Sequence, residues 1–156
     1  CCTGLHKGSL YQAFGDKHQL FMRSLNRYAD REYKTIASAA LEQESPLDSI
    51  RTLVRMVCEH AAEGRGCLMI NSMVELAPHD PEVRDMLAQE GQRRIGVMAE
   101  LLTKAQELGE IRAELDPLKL AQQLMVGLAG SAALVKGLIT TEEVMHLLES
   151  MIDLWT

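Results

Sequence analysis

Two groups of side chains in this sequence have types and spacings that could do chemistry. The first lies close to the start, where His6, Lys7, Ser9, Tyr11, Gln12 and Lys17 follow one another with Gly8 between them. Imidazole, ammonium, hydroxyl and amide donors of this kind hold phosphate oxygens and base edges, and a glycine among them lets a backbone come close. The second gathers around one turn between helices: His60, Cys67, Met69, Asn71, Met73 and Glu75. Soft sulfur ligands suit copper(I), and an exposed thiol suits redox sensing. No pair here has a spacing that demands coordination, however, and Met and Cys are ordinary fillers of irregular helical cores. Neither a metal nor a cofactor is expected. Asn71 and Glu75 are one helical turn apart, so they either face a cavity together or hold a helix–helix contact. With Cys67, they are the groups best placed to orient a small guest. Ser72, Arg93 and Arg94 leave the same choice between structure and binding open.

Catalysis has little to build on. There is no Gly-rich phosphate loop, no His-Glu-x-x-His and no nucleophile motif, and the acids of Asp80–Asp85 and Glu142–Glu143 suit helix N-termini. No catalytic residue is expected, and the chain is not read as an enzyme.

The elements that must position these groups are legible from their ends. Asp16, Ser45, Asp80, Asp116 and Thr140 are N-cap residues, three of them followed directly by proline, and Gly64, Gly66, Gly109 and Gly137 fall where helices stop. The pattern predicts helices over Lys7–Phe14, Lys17–Glu42, Pro46–Glu63, Cys67–Ala77, Pro81–Leu108, Pro117–Lys136 and Thr141–Leu154. Leu47, Ile50, Leu53, Val54, Val57, Cys58 and Ala61 keep the helical period, as do Val144, Leu147, Leu148, Met151, Ile152 and Trp155. No strand-like alternation of useful length competes with them, so the fold class is all-α.

With 156 residues, 47% of them hydrophobic, the chain can bury a sizeable core, and with 4% aromatics against nine Met that core is aliphatic. The net charge of −6 is unevenly spread. Residues 1–34 carry six basic against three acidic side chains, the remainder ten against nineteen. A basic head on an acidic body would turn the head towards a polyanion. Four cysteines without zinc or disulfide spacing point to reduced thiols and a cytoplasmic setting. No apolar stretch is long enough to span a bilayer, so no membrane partner is expected.

From Gly4 to Phe21 the sequence resembles the end of the helix-turn-helix of the TetR family of bacterial transcriptional regulators. The shared pattern is Gly-hydrophobic-x-Lys-Gly-Ser-Leu-Tyr-x-x-Phe-x-x-Lys-x-x-Leu-Phe. Weaker matches follow at Gly66–Asn71, Glu75–Pro81 and Gly109–Pro117. The opening Cys1-Cys2 departs from the pattern, and the resemblance implies that the first two helices of the head lie upstream. It further implies a TetR-like helical bundle, with residues 1–34 the remnant of the DNA-binding head and 35–156 a ligand-binding and dimerisation body. His6, Lys7 and Ser9 would then reach base edges or nearby phosphates, while Tyr11, Gln12 and Lys17 hold the backbone.

The small-residue run Gly127–Ala133 and the apolar stripe Val144–Trp155 both ask for a close partner, and a homodimer through the last two helices would satisfy both. Leu128, Ala132, Leu148, Met151 and Trp155 are the interface residues expected on that ground. The implied function is a ligand-responsive transcriptional regulator, a repressor in most members, that binds a near-palindromic operator of double-stranded DNA as a dimer. Its effector would be small and mainly apolar, because the body helices bring many Met, Leu and Val. The rival reading is a helical ligand-binding or scaffold dimer without specific DNA binding.

Overall fold

The computed structural model describes residues 7–41, 43–62 and 66–156. Among the described residues there are seven helices and no strand: α1 Lys7–Phe14, α2 Lys17–Leu41, α3 Pro46–Ala62, α4 Leu68–Glu75, α5 Pro81–Glu107, α6 Pro117–Leu134 and α7 Thr141–Asp153. Each of the five caps forms. Asp16 accepts from Gln19 N–H and Ser45 from Asp48 N–H; Asp80 and Asp116 each accept two first-turn N–H groups. Thr140 and Glu143 bond reciprocally in a capping box.

The ends differ from the sequence expectation by a residue or two. Helix α6 stops at Leu134, and residues 135–139 form a turn. Helix α5 closes in a Schellman motif: Glu110 N–H donates to Ala105 O at 2.8 Å and Gly109 N–H to Gln106 O at 3.0 Å. Gly109 adopts φ +74° to do so. Gly64 lies outside the described residues.

The apolar faces meet in two cores. Ile50 and Val54 of α3, Leu102 of α5, Leu124 of α6 and Ile152 of α7 lie at the centre of the larger. The smaller joins Met22 and Leu25 of α2 to Met69 of α4 and to Val83 and Leu87 of α5. Helix α2 thus packs on α3, α4 and α5, and α1 rests on α2. Polar side chains lock the far end of the body. Gln106 Nε2 donates to the carbonyls of Arg112, Ala113 and Leu115, Glu110 Oε2 accepts from Leu47 N–H at 2.9 Å, and Arg112 N–H donates to Trp155 O.

Four of the five residues expected at a dimer interface are buried within the protomer itself. Leu128, Ala132, Leu148 and Trp155 are buried, and Met151 packs against the same core. The reason is local. Gly127 leaves room for α7, since a Cβ there would stand 2.7 Å from Leu148 Cδ2, so the small-residue run accommodates the protomer's own last helix. The large apolar residues presented outward are Leu118, Val126 and Leu134 on α6, Leu147 on α7 and Leu154 just after it, two of them more than 70% exposed. Among the described residues, no helix is long and apolar enough to cross a membrane.

Candidate functional site

At the start of the chain, Ser9, Tyr11, Gln12 and Lys17 are exposed along α1 and the first residue of α2. His6 and the side chain of Lys7 lie outside the described residues. Gly15 takes φ +88°, and the turn closes with Gly15 N–H donating to Tyr11 O at 2.8 Å. A helix as short as α1 has little stability of its own. It is held by α2, in part through Arg23, whose guanidinium stands 5.8 Å from the Phe14 ring centre.

The same α2 reaches into the body. His18 Nε2 lies 2.8 Å from Asp80 Oδ2, and His18 Nδ1 3.7 Å from Glu82 Oε2, so the first turn of α2 is fastened to the N-terminus of α5. Asp80 is held below the ordinary carboxylate range, first by the Val83 N–H it accepts and then by His18.

Further along, α2 forms one wall of a cavity of about 360 Å³ whose other walls are α3, α4, α5 and α6. That volume falls in the range of small-molecule sites. Its lining is mostly aliphatic and rich in methionine: Met56 from α3, Met69 and Met73 from α4, Met98 from α5 and Met125 from α6. Leu128 and Ala132 face it from α6. Unbranched thioethers adapt to guests of varied shape.

A polar cluster interrupts this lining. Tyr28 Oη and His60 Nε2 are 3.2 Å apart, and Glu32 Oε2 lies 3.9 Å from the same imidazole nitrogen. Burial, with further contributions from Cys67 and Glu32, pushes the Tyr28 hydroxyl up to about 12, so it remains a neutral phenol. Cys67, just before α4, lines the cavity beside it. Cys58 differs: it is wholly buried in the larger core, and burial raises its thiol to about 11. Across on α5, Arg94 also lines the cavity, its Nη2 donating to Ala29 O at 3.3 Å.

Of the three guest-orienting residues expected from sequence, the structure brings only Cys67 to the cavity. Asn71 points the other way on α4, where its Oδ1 accepts from Lys136 Nζ at 2.9 Å, and Glu75 is exposed at the end of that helix. A short helix offers one narrow face to a cavity, and Met69, Ile70 and Met73 occupy it. Sequence reasoning missed Tyr28 and Glu32 as lining residues, and left Arg94 open between structure and binding. The i, i+4 spacing of Tyr28 and Glu32 on a long helix was the available signal. Among the described residues, no group of three or more His, Cys, Asp or Glu is arranged to hold a metal.

Residues 46–151, which contain most of this cavity wall, match the family described as Tetracyclin repressor-like, C-terminal domain. The chain belongs to that family. Among curated relatives of this tetracyclin repressor-like chain, the HTH-type transcriptional repressor DhaR of Mycobacterium sp. is 30% identical over 132 residues, covering 83% of this chain and 66% of DhaR. The uncharacterized HTH-type transcriptional regulator YezE of Bacillus subtilis is 24% identical over 118 residues, covering 71% of this chain and 59% of YezE. The chain thus spans about three fifths to two thirds of the length of these relatives. In fold it is similar to a cysteine-substituted form of the TetR family transcriptional regulator CifR, solved with 26-bp double-strand operator DNA. The TM-score is 0.85 at 23% identity, covering 97% of this chain and 81% of that one.

Proposed function

We propose that this tetracyclin repressor-like chain is the larger part of a ligand-responsive transcriptional regulator. In this reading it acts as a repressor, binds a near-palindromic operator as a homodimer and works in the cytoplasm without a catalytic step. One observation carries the reading: a single continuous helix, α2, joins the exposed donors to the cavity. Lys17 and His18 stand at its first turn, and Tyr28, Glu32 and Tyr33 line the cavity further on. Tyr28 is about 16 Å along the axis from Lys17 at helical rise. A guest that changes how α2 packs at Tyr28 therefore moves Lys17 and α1 as well. Two heads set at the wrong separation no longer fit successive major grooves. The family match and the repressor relatives support this reading.

Residues 1–34 are assigned to the DNA-binding head, with Ser9, Tyr11, Gln12 and Lys17 facing the duplex together with His6 and Lys7. Residues 35–156 are the sensing and dimerisation body, in which Cys67 faces the effector. The partner helices meet through the exposed faces of α6 and α7. The test is operator selection with the full-length protein, followed by binding at several salt concentrations. Lys17→Ala should weaken binding to all duplexes and lower the salt slope by about one. A protein that selects no operator, or whose DNA affinity no cavity-filling compound changes, would refute the proposal.

A further inference from the structure

The charges on the cavity wall are unevenly compensated. Glu32, on α2, is flanked by Arg31 Nη2 at 3.5 Å and by His60 Nε2 at 3.9 Å. Arg94, on α5, has one loose ion partner among the described residues, Glu90 Oε2 at 4.0 Å from Nε. Its Nη2 makes one long bond, 3.3 Å to Ala29 O, and its Nε is buried with no hydrogen-bond partner. The Glu90 carboxylate already accepts from Arg93 Nη2 at 2.8 Å. Apart from the polar cluster at Tyr28, Glu32 and His60, the lining is mostly thioether and aliphatic. A hydrocarbon filling the cavity would strip water from Arg94 and return nothing, and an amine would add a second cation beside it. A carboxylate would supply the acceptor that the planar fork lacks.

We propose that the cavity takes a small, mainly apolar acid, with its carboxylate against Arg94 and its hydrocarbon part among Met56, Met73, Met98 and Met125. This rests on reading the cavity as the effector site and adds the chemical class of the effector.

Calorimetry on the full-length protein with three matched probes tests the class: 4-phenylbutanoate, a methyl ketone of equal length, and 4-phenylbutylamine. The acid should bind at least about tenfold more tightly than either analogue. Arg94→Met should remove that preference, bringing the acid's affinity down to the ketone's in the same variant, and Arg94→Lys should retain part of it. Equal affinities in the unaltered protein, or no binding by any acid from phenylacetate to 4-phenylbutanoate, would overturn the proposal. So would an acid preference that survives Arg94→Met. The comparison in the unaltered protein needs no variant to fold. Operator release is scored separately. An acid that binds without releasing DNA leaves the ligand class standing and removes the regulatory reading. Release by other compounds while no acid binds does the reverse.

Discussion

His18 and Asp80, 62 positions apart in the chain, meet at 2.8 Å and fasten the first turn of α2 to the cap of α5. The Asp80 carboxylate divides its work, Oδ1 accepting the Glu82 and Val83 N–H groups and Oδ2 contacting the imidazole. Its pKa is lowered from the usual 3.8, chiefly by Val83 N–H and then by His18. A carboxyl with a depressed folded-state pKa stabilises the fold above its unfolded value, and that contribution is lost as pH falls through the folded value. Melting temperature followed downward from pH 6 should therefore fall more steeply in the unaltered protein than in Asp80→Asn, which retains an acceptor for the cap. Parallel curves would remove Asp80 from the acid response.

Gly109 closes α5 at φ +74°, a conformation that side-chain-bearing residues seldom adopt. Nothing lies within 4 Å of where a Cβ would be, so the cost of Gly109→Ala is conformational rather than steric. It should lower stability by about 1 kcal/mol with an unchanged denaturant slope. Urea titration of the two proteins checks this.

Leu147 and Leu148 are neighbours with opposite fates, 61% and 7% exposed. Leu148→Ala should cost about 2–5 kcal/mol, as core truncations do. Leu147→Glu should leave the protomer folded and, if the outward faces of α6 and α7 carry the dimer, shift it to monomer in sedimentation velocity. A Leu147→Glu protein that remains dimeric places the interface elsewhere.

Tyr28 titrates only near 12 because burial disfavours its phenolate, with Cys67 and Glu32 adding to the effect. In the unfolded chain it ionises near 10, so the stability it contributes is present below that pH and lost as pH rises towards 12. Tyr28→Phe should show a shallower fall in melting temperature between pH 10 and 12. Identical alkaline profiles would mean that Tyr28 is less shielded than its contacts imply.

What the sequence by itself determined is local. Caps act within three residues, so Asp16, Ser45, Asp80, Asp116 and Thr140 located five helix starts, and Gly109 located a stop, because each bond closes between near neighbours. The all-α class, the shared pattern at Gly4–Phe21 and an apolar cavity among the body helices could likewise be read from periodicity, motif and composition. The facing of side chains was decided only by tertiary packing. The stripe on α7 is the same whether it meets α3 and α6 or a second protomer, and the protomer's own core took Leu148, Ile152 and Trp155. Asn71 and Glu75 share a helical turn with cavity residues, but which face of α4 meets the cavity was set by packing, and Asn71 lies on another face, where its Oδ1 accepts from Lys136, 65 positions away. The polar cluster needed the same long-range folding. Tyr28 reaches His60, and Arg94 reaches Ala29, only when α2, α3 and α5 are packed together, and no local spacing encodes the loose partnering of Arg94.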